Sequence, residues 1–344
     1  MSIRILATSP LVGPALFDLG ARFPELRIAP FHSPEWMAAL PEAEALVVVV
    51  SEPITEADLE AAPRLKALGT CSVGVNHLPL KACQARGIAV VNTPGVLTDT
   101  TADLALALLM SLTRRLAEGE ALVRSGAWKG WAPDQLLGRS LTGKACGILG
   151  SGPIGQAFAR RVKALGMTPL FWDREGGGGE VDFGAGCAAR LPLGELLSRI
   201  AVLSLHCPLT DQTRGMLDRI ALEKLPEGAM IINTARGGIM DENAAIDLLE
   251  SGRLGGVGLD VYEGEPRINP RWLQAPRTAL LPHLGSATVE TREAMTRLLC
   301  EGLAAALGAC PSNWNAPRVR RRASQADIFP SRVSPEAIPR RKAR

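Results

Sequence analysis

The stretch that most narrows the folds open to this chain is "ACGILGSGPIGQAFARRVKALGM", residues 145–167. An apolar run of strand type enters Gly150-Ser151-Gly152-Pro153-Ile154-Gly155, and an amphipathic helix-type segment leaves it. A bare G-x-G-x-x-G says little in a chain with 35 glycines, but a strand before it and a helix after it make it informative. Gly150 permits the tight turn, Gly152 lets a pyrophosphate approach the backbone, and Gly155 lets the helix pack close to the strand. The free N–H groups of the helix start face the anion, and Pro153 at the first helical position removes no needed donor. The next strand, "TPLFWDR", ends at Asp173, 23 residues past Gly150. A carboxylate there can accept from an adenosine ribose diol and repels a 2′-phosphate. NAD is therefore favoured over NADP, a preference that the adjacent Arg174 tempers.

Apolar runs of strand type alternate with helical segments along most of the chain. Strands are expected at Ile3–Ala7, Arg27–Pro30, Leu46–Val50, Leu65–Leu68 and Ile88–Asn92. A second set is expected at Ala145–Leu149, Pro169–Trp172, Ala201–His206, Met230–Thr234, Val257–Val261 and Thr278–Leu281. This alternation predicts an α/β fold with parallel sheets covered by helices on both faces. Between the sets, "DTTADLALALLMSLTRRLAEGEALVRSGAW" reads as one helix of about 25 residues, capped by Thr100 or Thr101 and ended by Gly126. Its broad apolar surface suits packing between domains or subunits. Trp128 and Trp131 follow in a non-periodic segment, as packing residues or as anchors in a subunit contact. "REGGGGEVDFGAG", after the Asp173 strand, is glycine-rich and is assigned no element.

At 344 residues the chain is long enough for two domains. No apolar run reaches the roughly 20 residues of a membrane span. The N-terminus starts as a strand rather than a signal peptide. Seven scattered cysteines form no Cys-x-x-Cys pair and no zinc-type cluster, which suits reduced thiols in the cytoplasm and no metal site. The net charge of +3 hides an asymmetry, because residues 318–344 carry nine Lys or Arg against two acids. The body is therefore weakly acidic, which argues against nucleic-acid binding, and the tail reads as a basic disordered appendage.

Seven motifs together resemble the D-isomer-specific 2-hydroxyacid dehydrogenases: "SVGVNHLP", "NTPGVLTDTTADLALALLM", "GILGSGPIG", "LHCPLTDQTRGML", "INTARGGIMDE", "GLDVYEGEP" and "LPHLGSAT". The resemblance runs from about residue 45 to 317. "NTPGVLTD" and "GAWKGWAP" are most similar to the glyoxylate/hydroxypyruvate reductase branch. It implies two Rossmann-like domains, with a cofactor domain (99–288) inserted into a discontinuous, flavodoxin-like substrate domain (1–98 and 289–317). Hinges near Leu97–Asp99 and Ala287–Glu290 would close the cleft.

The same resemblance implies that Arg236, Glu265 and His283 carry the chemistry. Strand ends also deliver these residues to one edge of a parallel sheet, where ligands bind. In that scheme His283 exchanges the proton, Glu265 orients its ring, and Arg236 offers a fork of donors to the substrate. Val73, Gly74 and Val75 resemble the loop that holds the substrate carboxylate. His206, Cys207, Pro208 and Thr213 resemble the nicotinamide-side wall, and Asp260 the group near its amide. Thr234, Ala235 and Gly285 complete the implied cofactor contacts. His32 and His77 match no motif role. Asn76 and Pro79 stand where the family commonly has acids. The expected activity is reduction of glyoxylate, hydroxypyruvate or a similar small 2-keto acid by a homodimer. D-3-phosphoglycerate or D-lactate-type dehydrogenases and an NAD-binding corepressor-like scaffold are the alternatives. Formate dehydrogenases of this fold are disfavoured, because they use an amide where Glu265 stands.

Overall fold

The computed structural model describes residues 3–9, 11, 13, 23, 25–174 and 177–308. The basic tail expected after residue 317 lies outside the described residues, as do residues 309–317. Five short strands come first: β1 (Arg4–Ala7), β2 (Glu25–Ile28), β3 (Ala45–Val48), β4 (Ala67–Thr70) and β5 (Ala89–Val91). They pair in parallel in the order β2-β1-β3-β4-β5, the flavodoxin-like arrangement. β3 and β4 are buried along their whole length, because helices cover both faces and no polar alternation is tolerated. Helices α1 (Pro34–Ala39), α2 (Glu56–Ala61) and α3 (Leu80–Ala85) connect these strands. Thr55 and Asp58 close a reciprocal capping box that starts α2.

A second sheet is built from β6 (Ala145–Leu149), β7 (Thr168–Trp172), β10 (Val202–Leu205), β11 (Ala229–Asn233), β12 (Leu254–Leu259) and β13 (Thr278–Leu280). All its pairings are parallel, in the order β13-β12-β11-β10-β6-β7. Beyond β7, Phe171 makes a single parallel bridge to Arg190, and the Leu191 N–H donates to the Phe171 carbonyl at 2.8 Å. A dinucleotide-binding sheet of order 3-2-1-4-5-6 thus survives with its third strand shortened to one bridge and with β13 added beyond the sixth. The order reverses between β6 and β10, and a ligand crevice forms at such a reversal.

Both sets of expected strands are present, with ends shifted by up to three residues: Val257–Val261 became Leu254–Leu259, and Leu65–Leu68 became Ala67–Thr70. The single long helix expected between them is two. α4 (Thr98–Arg114) starts before Thr100 without a side-chain cap, and Arg115 then adopts a left-handed conformation (φ 53°) before α5 (Leu116–Arg124). Gly126, at φ 70°, ends the second piece as expected. The glycine-rich segment holds an antiparallel hairpin of β8 (Glu180–Asp182) and β9 (Cys187–Ala189), turned by Gly184 and Gly186 and anchored by buried Phe183.

The remaining helices are α6 (Pro153–Ala164), α7 (Leu193–Arg199), α8 (Arg219–Glu223), α9 (Glu242–Glu250) and α10 (Val289–Ala306). α4 lies on the second sheet, where Leu108 and Leu112 close over Gly258. α10 returns to the first sheet: a Cβ on Gly69 would stand 2.7 Å from Leu299 Cδ1. The cofactor sheet is therefore inserted into the chain of the other. Apolar clusters fill both faces of the second sheet and one face of the first. No helix among the described residues is long and apolar enough to cross a membrane.

Candidate active site

The glycine turn is shaped by close approach. Gly150 sits at φ 108°, and a Cβ there would come 2.7 Å from the His206 carbonyl oxygen on the neighbouring strand end. On Gly155 a Cβ would overlap the Gly150 carbonyl, whereas Gly152 faces open space. Pro153 opens α6, whose cap residue Gly152 contributes no side-chain bond, so the first N–H groups of this helix are left for an incoming anion. At the end of β7, Asp173 accepts from the Ser151 hydroxyl at 2.6 Å and lies 3.0 Å from Arg190 Nε.

One cavity of about 790 Å³ lies between the strand ends of the two sheets. Arg236, Glu265 and His283, up to 47 positions apart in sequence, all line it. His283 leaves β13 through Leu281-Pro282 and takes a left-handed backbone (φ 57°), a conformation that costs a non-glycine residue about 1–3 kcal/mol. Asp260 holds that turn. Its carbonyl accepts the His283 N–H at 2.9 Å, and its carboxylate accepts the Leu284 and Gly285 N–H groups at 2.6 and 2.8 Å. Burial nevertheless pushes the Asp260 carboxyl up, against those two bonds.

The His283 ring meets Glu265: Nδ1 lies 2.7 Å from Oε2, which leaves Nε2 for the cavity. The other Glu265 oxygen accepts the Tyr262 N–H at 2.7 Å. Burial works to raise Glu265, but the bonds from His283 and Tyr262 and the charge of Arg236 bring its carboxyl below the usual range. It is thus an anion at hydrogen-bond distance from the imidazole. Tyr262 is pushed up to about 12 by burial and donates its hydroxyl to the Leu281 carbonyl at 2.9 Å, so it braces the turn without titrating.

Arg236 caps the short 3₁₀ turn after β11, where Asn233 bonds the Ala235 N–H and the Arg236 carbonyl, each at 2.9 Å. Its guanidinium donates to the Ala235 carbonyl at 2.6 Å and lies against Gly74 of the first sheet's loop, so closely that a Cβ on Gly74 would overlap it. Burial lowers the Arg236 pKa, against the pull of Glu265, yet guanidinium stays charged in proteins. Asn76 Nδ2 donates across the cleft to the Leu209 carbonyl at 2.8 Å.

Of the remaining expected residues, Val73, Gly74, Gly152, Pro153, Ile154, His206, Cys207, Pro208, Thr234, Ala235, Asp260 and Gly285 also line the cavity. Thr234 Oγ1 is buried and unpartnered, a free polar atom of the kind a bound dinucleotide can satisfy. Burial holds His206 near 3, so it is a neutral ring, tilted against Phe158 with Nε2 2.8 Å from Ser204 Oγ. Burial likewise lifts the Cys207 thiol to about 11.

Two expected residues turn their side chains away from the cavity. Thr213 does not reach the cavity; its buried hydroxyl donates to the Pro208 carbonyl at 2.7 Å and accepts the Thr210 N–H at 2.8 Å, stapling the turn that carries Pro208. The Val75 side chain packs into the first sheet's core, so that only its backbone remains on the loop. Gly150, Gly155 and Asp173 also stand outside the cavity lining, the glycines as parts of the turn's scaffold.

The sequence assigns no role to four residues that shape the site: Asn76, Tyr262, Glu242 and Arg292. Tyr262 carried one signal, being the sole tyrosine, set inside a quoted motif. Arg292 sits in an ordinary amphipathic helix and gave none. His77 is not a bare turn residue, since its Nε2 lies 2.9 Å from Thr70 Oγ1. Among the described residues no group of His, Cys, Asp and Glu could hold a metal ion, and Cys71, Cys83, Cys146, Cys187 and Cys207 are free thiols.

Residues 106–285 match the profile of the D-isomer specific 2-hydroxyacid dehydrogenase NAD binding domain. The chain is 42% identical over 285 residues to a glyoxylate reductase of Thermococcus litoralis, covering 79% of this chain and 83% of the relative. It is 37% identical over 262 residues to a glycerate dehydrogenase of Hyphomicrobium methylovorum, covering 76% and 81%. Among solved structures it resembles an NADPH-dependent glyoxylate/hydroxypyruvate reductase of Sinorhizobium meliloti, crystallised with NADP and malonate. That match has a TM-score of 0.77 and 31% identity and covers 89% of this chain and 93% of the other. A glycine turn at the sheet's reversal point, facing a cavity lined by Arg, Glu and His, accords with these likenesses. The chain belongs to the D-isomer-specific 2-hydroxyacid dehydrogenase family, enzymes that interconvert 2-keto and 2-hydroxy acids with a nicotinamide cofactor.

Proposed function

We propose that this chain reduces glyoxylate, hydroxypyruvate or a similar small 2-keto acid to the D-2-hydroxy acid. The 2.7 Å contact between His283 Nδ1 and Glu265, in a cavity shared with Arg236, carries this reading. A bound nicotinamide supplies the hydride in reduction and accepts it in oxidation. His283, as imidazolium, gives its Nε2 proton to the carbonyl oxygen as negative charge develops there; the neutral ring takes it back in oxidation. Glu265 fixes the ring's orientation through its contact with Nδ1. Arg236 and the backbone of Val73-Gly74 hold the substrate carboxylate, the guanidinium by its planar fork. Thr234, Ala235, His206, Cys207, Pro208, Asp260 and Gly285 bound the cofactor side, with Ile154 at the first turn of α6.

NADH is the preferred cofactor, because Asp173 stands where a ribose diol would be read and its charge opposes a 2′-phosphate. Arg190 and Ser151 already engage that carboxylate, which softens the opposition. Among the described residues, those within 1–98 and 289–308 form the substrate domain and those within 99–288 the cofactor domain. They hinge where Thr101 Oγ1 donates to the Gly285 carbonyl at 2.9 Å and Thr100 meets Thr291 at 2.6 Å. The free cysteines suit a reducing, cytoplasmic setting.

A panel of 2-keto acids, followed by loss of NADH and then NADPH absorbance, tests the reading. Turnover of glyoxylate or hydroxypyruvate is expected. Inertness toward every acid with NADH still bound tightly would favour the scaffold alternative.

A further inference from the structure

The cavity holds a second guanidinium that the proposed mechanism leaves unused. Arg292, in the first turn of α10, lines it together with Val50, Ser51, Cys71 and Met295, at the end formed by the first sheet. It makes no ion pair and no side-chain hydrogen bond with any described residue. The two carboxylates that line the same cavity are committed elsewhere. Asp260 is held by the Leu284 and Gly285 N–H groups, and Glu265 by His283 and Tyr262. Glu290 and Glu293, its acidic neighbours on α10, form no bridge with it either. A half-buried cation with no acid beside it among the described residues is an unsatisfied binding element, because partial burial has removed hydration that no described group restores. Its charge reaches the neighbouring Cys71 thiol, whose titration burial raises and Arg292 lowers, and this places it beside the end of β4.

Every 2-keto acid carries a carboxylate on the carbonyl carbon, and Arg236 with the Gly74 loop takes that one. Any group beyond the carbonyl carbon then extends toward the wall that carries Arg292. We infer that Arg292 is a specificity-determining residue, which reads a hydrogen-bond-accepting substituent on the carbon beyond the keto group. The substrate class it selects is the three-carbon or longer acid with a terminal hydroxyl or carboxylate, over the two-carbon acid that has nothing there. This rests on the proposed orientation of a keto acid by Arg236. A site built to bond a substrate hydroxyl discriminates by leaving its own polar group unpaired when the hydroxyl is missing.

The test compares the wild-type holoenzyme with Arg292→Met, which keeps length and helix propensity, and with Arg292→Lys, which keeps the charge without the fork. In Arg292→Met the ratio of kcat/KM for hydroxypyruvate to that for glyoxylate should fall about tenfold, with partial recovery in Arg292→Lys. A second readout needs no turnover. Calorimetric titration of tartronate and of oxalate into the NADH-bound enzymes should show the tartronate-to-oxalate affinity ratio falling about tenfold in Arg292→Met. Ratios that stay within about twofold of wild type in both assays would overturn the inference. If neither keto acid turns over but the tartronate ratio still shifts, the proposed reaction fails and the subsite stands.

Discussion

Gly74 shows how much a single hydrogen can decide. Its loop and Arg236 come from different sheets, and the guanidinium occupies the space a Cβ would need. Gly74→Ala should therefore push Arg236 off its position and cost at least about tenfold in kcat/KM for the keto acid, because small misplacements of substrate-positioning groups are expensive. NADH affinity and thermal midpoint should barely move, and steady-state kinetics with fluorescence titration would separate the two effects. His283→Ala removes the proton donor. Turnover should fall about 10²–10⁴-fold with NADH binding nearly intact, and retained turnover would refute its role. Outside the cavity, at the end of β7, Asp173→Ala should narrow the ratio of NADH to NADPH kcat/KM. An unchanged ratio would mean the ribose is read elsewhere. The roles of Arg236, Glu265 and His283 were legible from motif order and strand ends. The left-handed backbone at His283 was not, since nothing local calls for φ 57° at a histidine; Asp260, 23 positions earlier, imposes it.

At the scale of elements, the loop carrying Glu265 is held by a carboxylate from another segment. Glu242, at the start of α9, is buried; its oxygens accept the Glu263 N–H at 2.8 Å and the Trp272 Nε1–H at 2.9 Å. Burial raises its carboxyl, against those two bonds. Glu242→Gln would turn one acceptor into a donor facing an N–H. It should cost about 1–3 kcal/mol in urea unfolding and lower kcat through a loosened Glu265. The sequence offered only an acid in a helical first turn, where a dipole contact explains it equally well. Helix α4–α5 failed as a single prediction for a related reason: the apolar periodicity runs through Arg115, yet that residue is left-handed and the segment turns. The Arg139 N–H donates to the Thr113 carbonyl at 2.9 Å, and a Cβ on Gly138 would overlap that same oxygen. The last turn of α4 is thus closed by a tertiary partner that local pattern cannot show.

The whole molecule leaves an apolar arm uncovered. Leu116, Val123, Trp128, Trp131 and Leu137 are exposed, Trp131 at 83%, whereas Ala102, Ala105 and Leu108 of α4 are buried within the chain itself. A surface of this kind marks an association site. We propose that this face pairs with a second copy of the chain, through α5 and the tryptophan segment rather than through α4. Light scattering at micromolar concentration should give twice the chain mass, and Val123→Glu with Trp131→Ser should halve it. Acid sensitivity is also set at this scale. Burial holds His206 near 3 and, aided by the charge of Arg236, His77 near 4, whereas the unfolded chain protonates both near 6.5. Below about 6.5 the unfolded state binds protons that the folded state refuses, so stability is full above that pH and declines toward 3–4. Each histidine should contribute a slope of up to about 1.4 kcal/mol per pH unit across its window. His206→Gln should flatten the pH dependence of the unfolding midpoint, and an unchanged slope would remove His206 from this account.

The chain by itself determined what depends on neighbours in sequence. The glycine turn, the buried strands that deliver polar residues to one sheet edge, and the motif order that assigns the chemistry are all local patterns. Tertiary structure decided what depends on distant segments meeting. It reduced the third cofactor strand to a bridge, turned Thr213 inward, stacked Arg236 on Gly74, and left Arg292 facing the cavity without an acid among the described residues. Periodicity specifies which face of an element is buried, but the group that face meets is set only when another segment packs against it.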